Sequence, residues 1–238
     1  MPPIGPEPLL HDLVLANRIL ANEGVLDAFG HVSVRHPTEP DRFLISRSLS
    51  PELVEVGDLQ LLDASGTRVG GSDRPTYAEV AIHAGVYRHR PDVMAVVHSH
   101  SPAVIPFGVT GVPLRPVFHV ASAMGSEVPV FDIAQRSGDS DLLVRTSAQG
   151  DALAETLGPR RVALMRGHGC VVAMGDLRSA VFTAVYLERN AMLLLQARQL
   201  GEVRYLSAGE IERASATILS EMSRDRAWEF WTRRLPKR

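Results

Sequence analysis

The sequence predicts a single α/β domain. Segments with the pattern of β-strands alternate with segments of helical period, and no Gly/Ser-rich or Pro-rich linker divides the chain into two halves. The 238 residues, 45% of them hydrophobic and 22% charged, suffice for one hydrophobic core. We therefore expect one domain over residues 1–238, with a proline-rich N-terminal extension at 1–8 and a C-terminal helical segment at 207–238.

Apolar residues at helical spacing predict the helices. Leu10 and Leu13 belong to the apolar face of the first helix, which Gly24 ends. Pro75 occupies a position that proline favours at a helix start, and Pro91 closes the same helix. The predicted helices are Leu9–Gly24, 75–90, Asp151–Leu157, Leu177–Leu200 and one from Ala208 to the tail.

Runs rich in β-branched residues predict the strands. Two such runs flank the turn sequence HPTEPD and are typical of a strand pair. A long apolar run ends in the sequence HSH, and a later one is interrupted by Gly-His-Gly. The predicted strands are 31–35, 41–46, 58–63, 93–100 and two within 160–175, separated at Gly167-His168-Gly169.

Charge and cysteine content exclude several functional classes. A net charge of −2 gives no basic surface for nucleic acid or an anionic membrane, so we expect neither as a partner. Cys170 is the only cysteine, which excludes an intrachain disulfide and suits a reducing compartment. No secretory signal pattern or membrane-spanning run is visible, so the expected location is the cytoplasm.

Three histidines stand out as candidate metal ligands. His98 and His100 are two residues apart at the end of a predicted strand, so their side chains project from the same face. His168 lies between two glycines that permit a tight turn at another strand edge, and it would supply a third nitrogen. The alternative is that all three have only structural roles, as we expect for His11, His36 and His89.

A carboxylate and a fourth histidine precede this group. Glu79 falls in the first turn of the predicted 75–90 helix, where an acidic residue can simply complement the helix dipole. A carboxylate close to three histidines can also serve as a ligand or as a general acid/base. His83 lies four residues after Glu79 on the same helical face and is a rival ligand.

The sequence ISRSLSP contains the candidate substrate-binding residues. Arg47 lies between Ser46 and Ser48 before a turn, an arrangement suited to bidentate binding of a carboxylate. An exposed turn arginine is the alternative. Cys170 enters the apolar run CVVAM and is interpreted as a core residue rather than a nucleophile.

Together these motifs resemble the class II aldolase/adducin family. The resemblance runs from about Leu9 to Leu200 and depends on FGHVSVR, ISRSLSPELV, RPTYAEVAIHAGVYRHRPDVMAVVHSHSP and RGHGCVVAMGDLRSAVFTAVYLERNA. It implies an α/β/α fold with a central, mostly antiparallel sheet and a C4 homotetramer with sites between subunits. It also implies one divalent metal ion per subunit, bound by His98, His100 and His168, with Glu79 at the catalytic acid/base position.

The chain departs from the family pattern at a position that bears on the substrate. His31 replaces the asparagine that, in members acting on sugar phosphates, helps bind the phosphate. An imidazole here and a guanidinium at Arg47 favour a planar, carboxylated substrate without phosphate. The motifs are most similar to the branch that decarboxylates hydroxylated aromatic acids and 3-hydroxy-2-methylpyridine-4,5-dicarboxylate. His119 matches the position of a tyrosine that reaches the adjacent subunit's site, so it is a candidate proton donor.

The functional hypothesis is a metal-dependent decarboxylase of a hydroxylated aromatic or heteroaromatic acid, with Mn, Zn, Fe or Co as the ion. The alternatives are an aldolase for an unphosphorylated hydroxy acid or sugar-like substrate, and a dehydratase or epimerase. A non-catalytic, adducin-like structural module is an alternative from another class. The expected partners are a small carboxylate substrate and further copies of the chain.

Overall fold

The computed structural model describes residues 4–70 and 73–236, and its centre is a seven-stranded sheet. The strands are β1 (His31–Arg35), β2 (Arg42–Ser46), β3 (Leu59–Asp63), β4 (Ala95–Ser99), β5 (Val130–Phe131), β6 (Val162–Met165) and β7 (Gly169–Met174). Their order across the sheet is β3-β2-β1-β4-β7-β6-β5. The β5–β6 pair is parallel and the other pairs are antiparallel, which confirms the expected mostly antiparallel sheet.

Helices cover both faces of the sheet. They are α1 (Glu7–Asn22), α2 (Val80–His89), α3 (Ile105–Val109), α4 (Ala134–Ser137), α5 (Ser147–Leu157), α6 (Leu177–Leu200), α7 (Ala208–Ile218) and α8 (Glu221–Arg234). Helices α1, α6 and α8 share one apolar core with the sheet, and α2 and α5 share the other. None of these helices combines the length and apolar character needed to cross a membrane, within the described residues.

Strand alternation decides which core each side chain enters. Val97 of β4 packs in the core with α1 and α6, and its neighbour Val96 packs in the core with α2 and α5. His98 therefore points toward the α2/α5 layer, as Val96 does. His31 of β1 pairs directly with His98 across the sheet, so both imidazoles lie on this face.

The helix predicted at 75–90 begins five residues later than expected, at Val80. The prediction was wrong because residues 75–79 are held by distant parts of the chain. The carbonyl of Pro75 accepts the Ser48 N–H, and the Tyr77 hydroxyl donates to the Leu49 carbonyl. Glu79 consequently occupies the N-cap position of α2, without a capping hydrogen bond from its side chain, and does not lie in the first turn.

The C-terminal segment also differs from its prediction. It forms two helices, α7 and α8, instead of one, because Leu219 ends the first and Ser220 adopts the extended backbone of an N-cap. Trp231 of α8 is buried and packs against Phe182 and Tyr186 of α6. The segment thus belongs to the layer on the face opposite His98.

Candidate metal centre

The antiparallel pairing of β1, β4 and β7 brings the start of β1, the end of β4 and the start of β7 to the same end of the sheet. β1 begins at His31, β4 ends at Ser99, and β7 begins at Gly169. His98 and His100 come from the end of β4, and His168 immediately precedes β7. Glu79 reaches this end of the sheet from the start of α2.

The four side chains converge on a common space. The candidate ligand atoms of Glu79, His98, His100 and His168 all lie within 4.8 Å of one another. Glu79 Oε2 is 3.4 Å from His168 Nε2 and 3.8 Å from His98 Nε2. The Nε2 atoms of the three histidines are buried without a hydrogen-bond partner among the described residues. Buried polar atoms are rarely unpaired, so three together indicate a site built for a ligand.

The imidazoles make their contacts with the rest of the protein through Nδ1, which leaves the Nε2 atoms free. His98 Nδ1 lies 3.1 Å from the Cys170 carbonyl oxygen, and His168 Nδ1 lies 3.1 Å from the Leu142 carbonyl oxygen. A carbonyl only accepts hydrogen bonds, so each Nδ1 is the protonated nitrogen and each Nε2 keeps its lone pair. Such contacts orient histidine ligands in metalloproteins. His100 Nδ1 lies 3.5 Å from a carboxylate oxygen of Asp27.

The glycines beside His168 are required by the backbone. Gly167 has a φ of +66°, in the left-handed region that favours glycine. A Cβ on Gly169 would lie 2.1 Å from the Ser99 carbonyl oxygen, so only glycine lets β7 begin this close to the end of β4. The two glycines thereby bring His168 beside His98 and His100.

Glu79 is oriented by the loop before α5. Its Oε1 accepts the Val144 N–H at 2.9 Å, which directs Oε2 toward the histidines. Burial on its own raises the pKa of Glu79, but the neighbouring His168 and His98 and the hydrogen bond from the Val144 N–H bring that pKa below its ordinary value. The group is therefore a carboxylate, as a ligand or a general base requires.

His31 lies beside this group and is the end of a buried hydrogen-bond chain. Its ring centre is 5.0 Å from that of His98, and its Nδ1 is 2.7 Å from His83 Nε2. His83 Nδ1 contacts the Ser33 hydroxyl at 2.6 Å, and that hydroxyl contacts the Tyr87 hydroxyl at 2.8 Å. Burial lowers the pKa of His83 to about 3 and raises the pKa of Tyr87. His83, a rival ligand in the sequence, thus binds His31 and Ser33 and does not belong to the metal-ligand group.

The other predicted substrate residues, Ser46, Arg47 and Ser48, are not members of the metal-ligand group. Ser46 is buried, and its hydroxyl is 2.8 Å from that of Tyr77, whose ring centre is 4.5 Å from that of His31. Arg47 is partly buried, and its Nε donates to Asp58 at 2.7 Å. Ser48 is exposed and donates its backbone N–H to Pro75.

Two further residues have clear positions. His119 is exposed at the start of a 3-10 turn (His119–Met124), and the described contacts do not join it to the histidine group of the same chain. Cys170 is buried, and burial raises the pKa of its thiol to about 12. A thiol with this pKa is not a nucleophile at neutral pH, in line with its interpretation as a core residue.

Sequence reasoning missed Ser33, Tyr87 and the backbone of the 142–144 loop. Two spacings could have indicated the side chains: Ser33 shares a strand face with His31, and Tyr87 lies one helical turn after His83. No sequence pattern indicates that Leu142 and Val144 contribute backbone groups to His168 and Glu79. These contacts depend on the path of a loop.

The donor set fits a divalent ion. Three imidazole nitrogens and one carboxylate oxygen are ligands that Zn, Mn, Fe and Co accept. His98, His100 and His168 would hold the ion, with Glu79 next to it.

Comparison with known proteins assigns the family. The model of the class II aldolase and adducin N-terminal domain matches residues 11–195, and the chain belongs to this family. The decarboxylase tropJ of Talaromyces stipitatus is 35% identical, over 90% of this chain and 89% of its own. The 3,4-dihydroxyphthalate decarboxylase of Arthrobacter keyseri is 31% identical, over 79% and 78%. The structure of L-fuculose 1-phosphate aldolase from Glaciozyma antarctica superimposes with a TM-score of 0.78 at 26% identity, over 94% and 87%.

Proposed function

We propose that the chain is a metal-dependent carbon–carbon lyase that removes CO2 from a hydroxylated aromatic or heteroaromatic carboxylic acid. The observation that carries this proposal is the group of three unpartnered Nε2 atoms beside Glu79, in a chain similar over most of its length to two decarboxylases. One divalent ion per subunit, when bound, supplies a Lewis acid for the hydroxyl and carboxylate oxygens of the substrate.

Glu79 is the proton carrier of the proposed reaction. Its Oε1 is held by Val144, so Oε2 faces the reacting groups. Oε2 takes the proton of the substrate hydroxyl and returns it to the ring carbon that loses CO2. The electron pair of the broken carbon–carbon bond stays on the ring.

Residues around the histidine group bind the substrate. Arg47 donates its Nε to Asp58, which leaves its terminal N–H groups for a carboxylate. Ser46 and Ser48 flank it, and His31 lies on the side of His98. In the proposed homotetramer, the exposed His119 approaches the site of an adjacent subunit and is a second candidate proton donor.

The test is CO2 release from a panel of ortho-hydroxy benzoates and hydroxypyridine carboxylates. Chelator-treated protein is expected to be inactive and to regain CO2 release when Mn or Zn is added. His98→Ala should stay inactive after reloading. His11→Ala is the matched control, because it removes an exposed histidine whose ion-pair partner among the described residues is Glu7.

An aldolase is the second candidate, supported by the similarity to the fuculose phosphate aldolase structure. The same residues would then hold an ion that supplies Lewis acidity for the oxygens of a hydroxy acid. Aldehyde formation from unphosphorylated hydroxy acids, with no CO2 from any aromatic acid, would favour this reaction over decarboxylation. Protein that binds no metal would instead favour a structural module.

A further inference from the structure

The buried chain from Tyr87 to His31 contains three hydrogen bonds, and each needs one hydrogen. They join Tyr87 to Ser33, Ser33 to His83 Nδ1, and His83 Nε2 to His31 Nδ1. The distances, 2.6 to 2.8 Å, leave no space for a bridging water. A neutral imidazole carries one hydrogen, so the two bonds of His83 run in the same direction, either toward His31 or toward Ser33.

The two directions differ in which hydrogen is left without an acceptor. With the bonds directed toward His31, Tyr87 donates to Ser33, Ser33 to His83, and His83 to His31. The hydrogen left over is then on His31 Nε2, which is not among the fully buried unpartnered atoms of the described residues. In the reverse direction it is the hydroxyl hydrogen of Tyr87 or, if Tyr87 still donates to Ser33, that of Ser33, and both residues are buried without another side-chain acceptor among the described residues. An unpaired buried donor disfavours the reverse arrangement by about tenfold or more.

The ends of the chain are consistent with this direction. Burial keeps His83 neutral, with a pKa of about 3, so it carries one hydrogen for its two nitrogens. Burial also raises the pKa of Tyr87, so the phenol keeps its hydrogen. The hydrogen-bond chain therefore fixes the direction of its three hydrogen bonds and does not transfer a proton.

His31 then differs from its neighbours in where it carries hydrogen. It accepts at Nδ1 and is protonated at Nε2, whereas His98 and His168 are protonated at Nδ1. A protonated nitrogen cannot bind a metal ion, but it can donate to an anion. The described contacts give His31 Nε2 no hydrogen-bond partner.

We infer that Tyr87, Ser33 and His83 are positioning residues that hold His31 as the Nε2–H tautomer, and that His31 donates this hydrogen to an anionic oxygen of the substrate beside His98. The inference rests on the proposed function, which supplies the anionic oxygen. It makes His31 a substrate-binding donor and excludes it as a fourth histidine ligand.

The tautomer can be measured without any turnover. In zinc-loaded protein labelled with 15N at histidine, long-range 1H–15N correlations distinguish the two tautomers, and His31→Gln assigns the signals. We expect hydrogen on Nε2 for His31 and on Nδ1 for His98 and His168. Hydrogen on Nδ1 of His31, or on both of its nitrogens, would overturn the inference whether or not CO2 is released.

The donor role can be measured with 2-hydroxybenzoate as the probe. At concentrations that shift the His98 signals, the Nε2 hydrogen of His31 should move downfield. If the signal of this hydrogen does not move, the donor role is refuted. If 2-hydroxybenzoate shifts no imidazole signal at all, the carboxylate substrate class is refuted together with the donor role. If the tautomer and the downfield shift are as expected but no acid releases CO2, only the proposed decarboxylation is refuted.

Ser33→Ala tests the positioning residues. It removes the partner of His83 Nδ1, so His31 should populate both tautomers, and kcat should fall about tenfold to a hundredfold while zinc content is unchanged. Thr183→Val is the control, because it removes a buried hydroxyl of α6 that has no hydrogen-bond partner among the described residues. Equal losses in both variants, or a single His31 tautomer in Ser33→Ala, would show that Ser33 has only a structural role.

Discussion

At the residue scale, the hydrogen-bond partner of Nδ1 distinguishes the imidazoles around the candidate metal centre. His98 and His168 face carbonyl oxygens and present Nε2 lone pairs, whereas His31 faces another imidazole. The sequence predicted that His98, His100 and His168 would converge, because strand alternation and the Gly-His-Gly turn are local patterns. It could not predict the partners of their Nδ1 atoms, which lie 26 and 72 residues away along the chain for His168 and His98.

Removal of one imidazole should remove the metal. We expect His98→Ala to weaken zinc or manganese affinity by at least about a hundredfold, because a lost ligand costs more than a lost orienting contact. Metal content is measured by mass spectrometry after gel filtration, with His11→Ala as the control. An unchanged stoichiometry in His98→Ala would exclude this residue as a ligand.

Glu79→Gln should separate the two roles open to this carboxylate. The amide is isosteric but cannot carry the proton, so kcat should fall by about 10²–10⁴-fold while the metal content stays at the wild-type value. Single-turnover kinetics and metal analysis of the same sample test this. If metal is lost in proportion to activity, Glu79 is a ligand and not the proton carrier.

At the element scale, the position of α2 matters most, because it carries Glu79 at its start and His83 in its interior. The start of this helix was mispredicted, since a proline in a favourable local position says nothing about contacts with Ser48 and Leu49. Once formed, α2 is fixed by close packing on α5. A Cβ on Gly85 would lie 2.4 Å from the backbone of Gly150.

Gly85→Ala should therefore force the two helices apart. We expect a loss of about 1–3 kcal/mol in unfolding free energy, and a melting temperature lower by about 2–4 °C for each kcal/mol. Gly209→Ala is the matched control, since nothing lies within 4 Å of the added Cβ in α7 and alanine favours helix by up to about 1 kcal/mol. Equal melting temperatures for the two variants would contradict this account of α2 packing.

At the scale of the whole molecule, the sheet order was the part of the fold that local patterns left open. Alternating strand and helix signals predicted an α/β domain, but the family resemblance was needed to expect an antiparallel sheet. The two-residue strand β5 is too short for any periodicity, and its pairing with β6 depends on the path of the preceding loop.

The proposed tetramer predicts complementation between two impaired variants. His119→Ala and Glu79→Gln chains, unfolded together and refolded as mixed tetramers, should recover up to about a quarter of wild-type activity, because random mixing pairs intact Glu79 with an intact neighbouring His119 at that frequency. Native mass spectrometry establishes the tetramer in the same samples. No recovery in confirmed mixed tetramers would show that His119 does not act in the neighbouring site.

The X-ray absorption spectrum of zinc-loaded protein is the most direct test of the claim that His98, His100 and His168 form a metal centre. The account predicts one zinc per chain with three imidazole nitrogens at about 2.0–2.1 Å and oxygen in the remaining coordination. Sulfur from Cys170 in the first coordination shell, or fewer than three imidazoles, would contradict it.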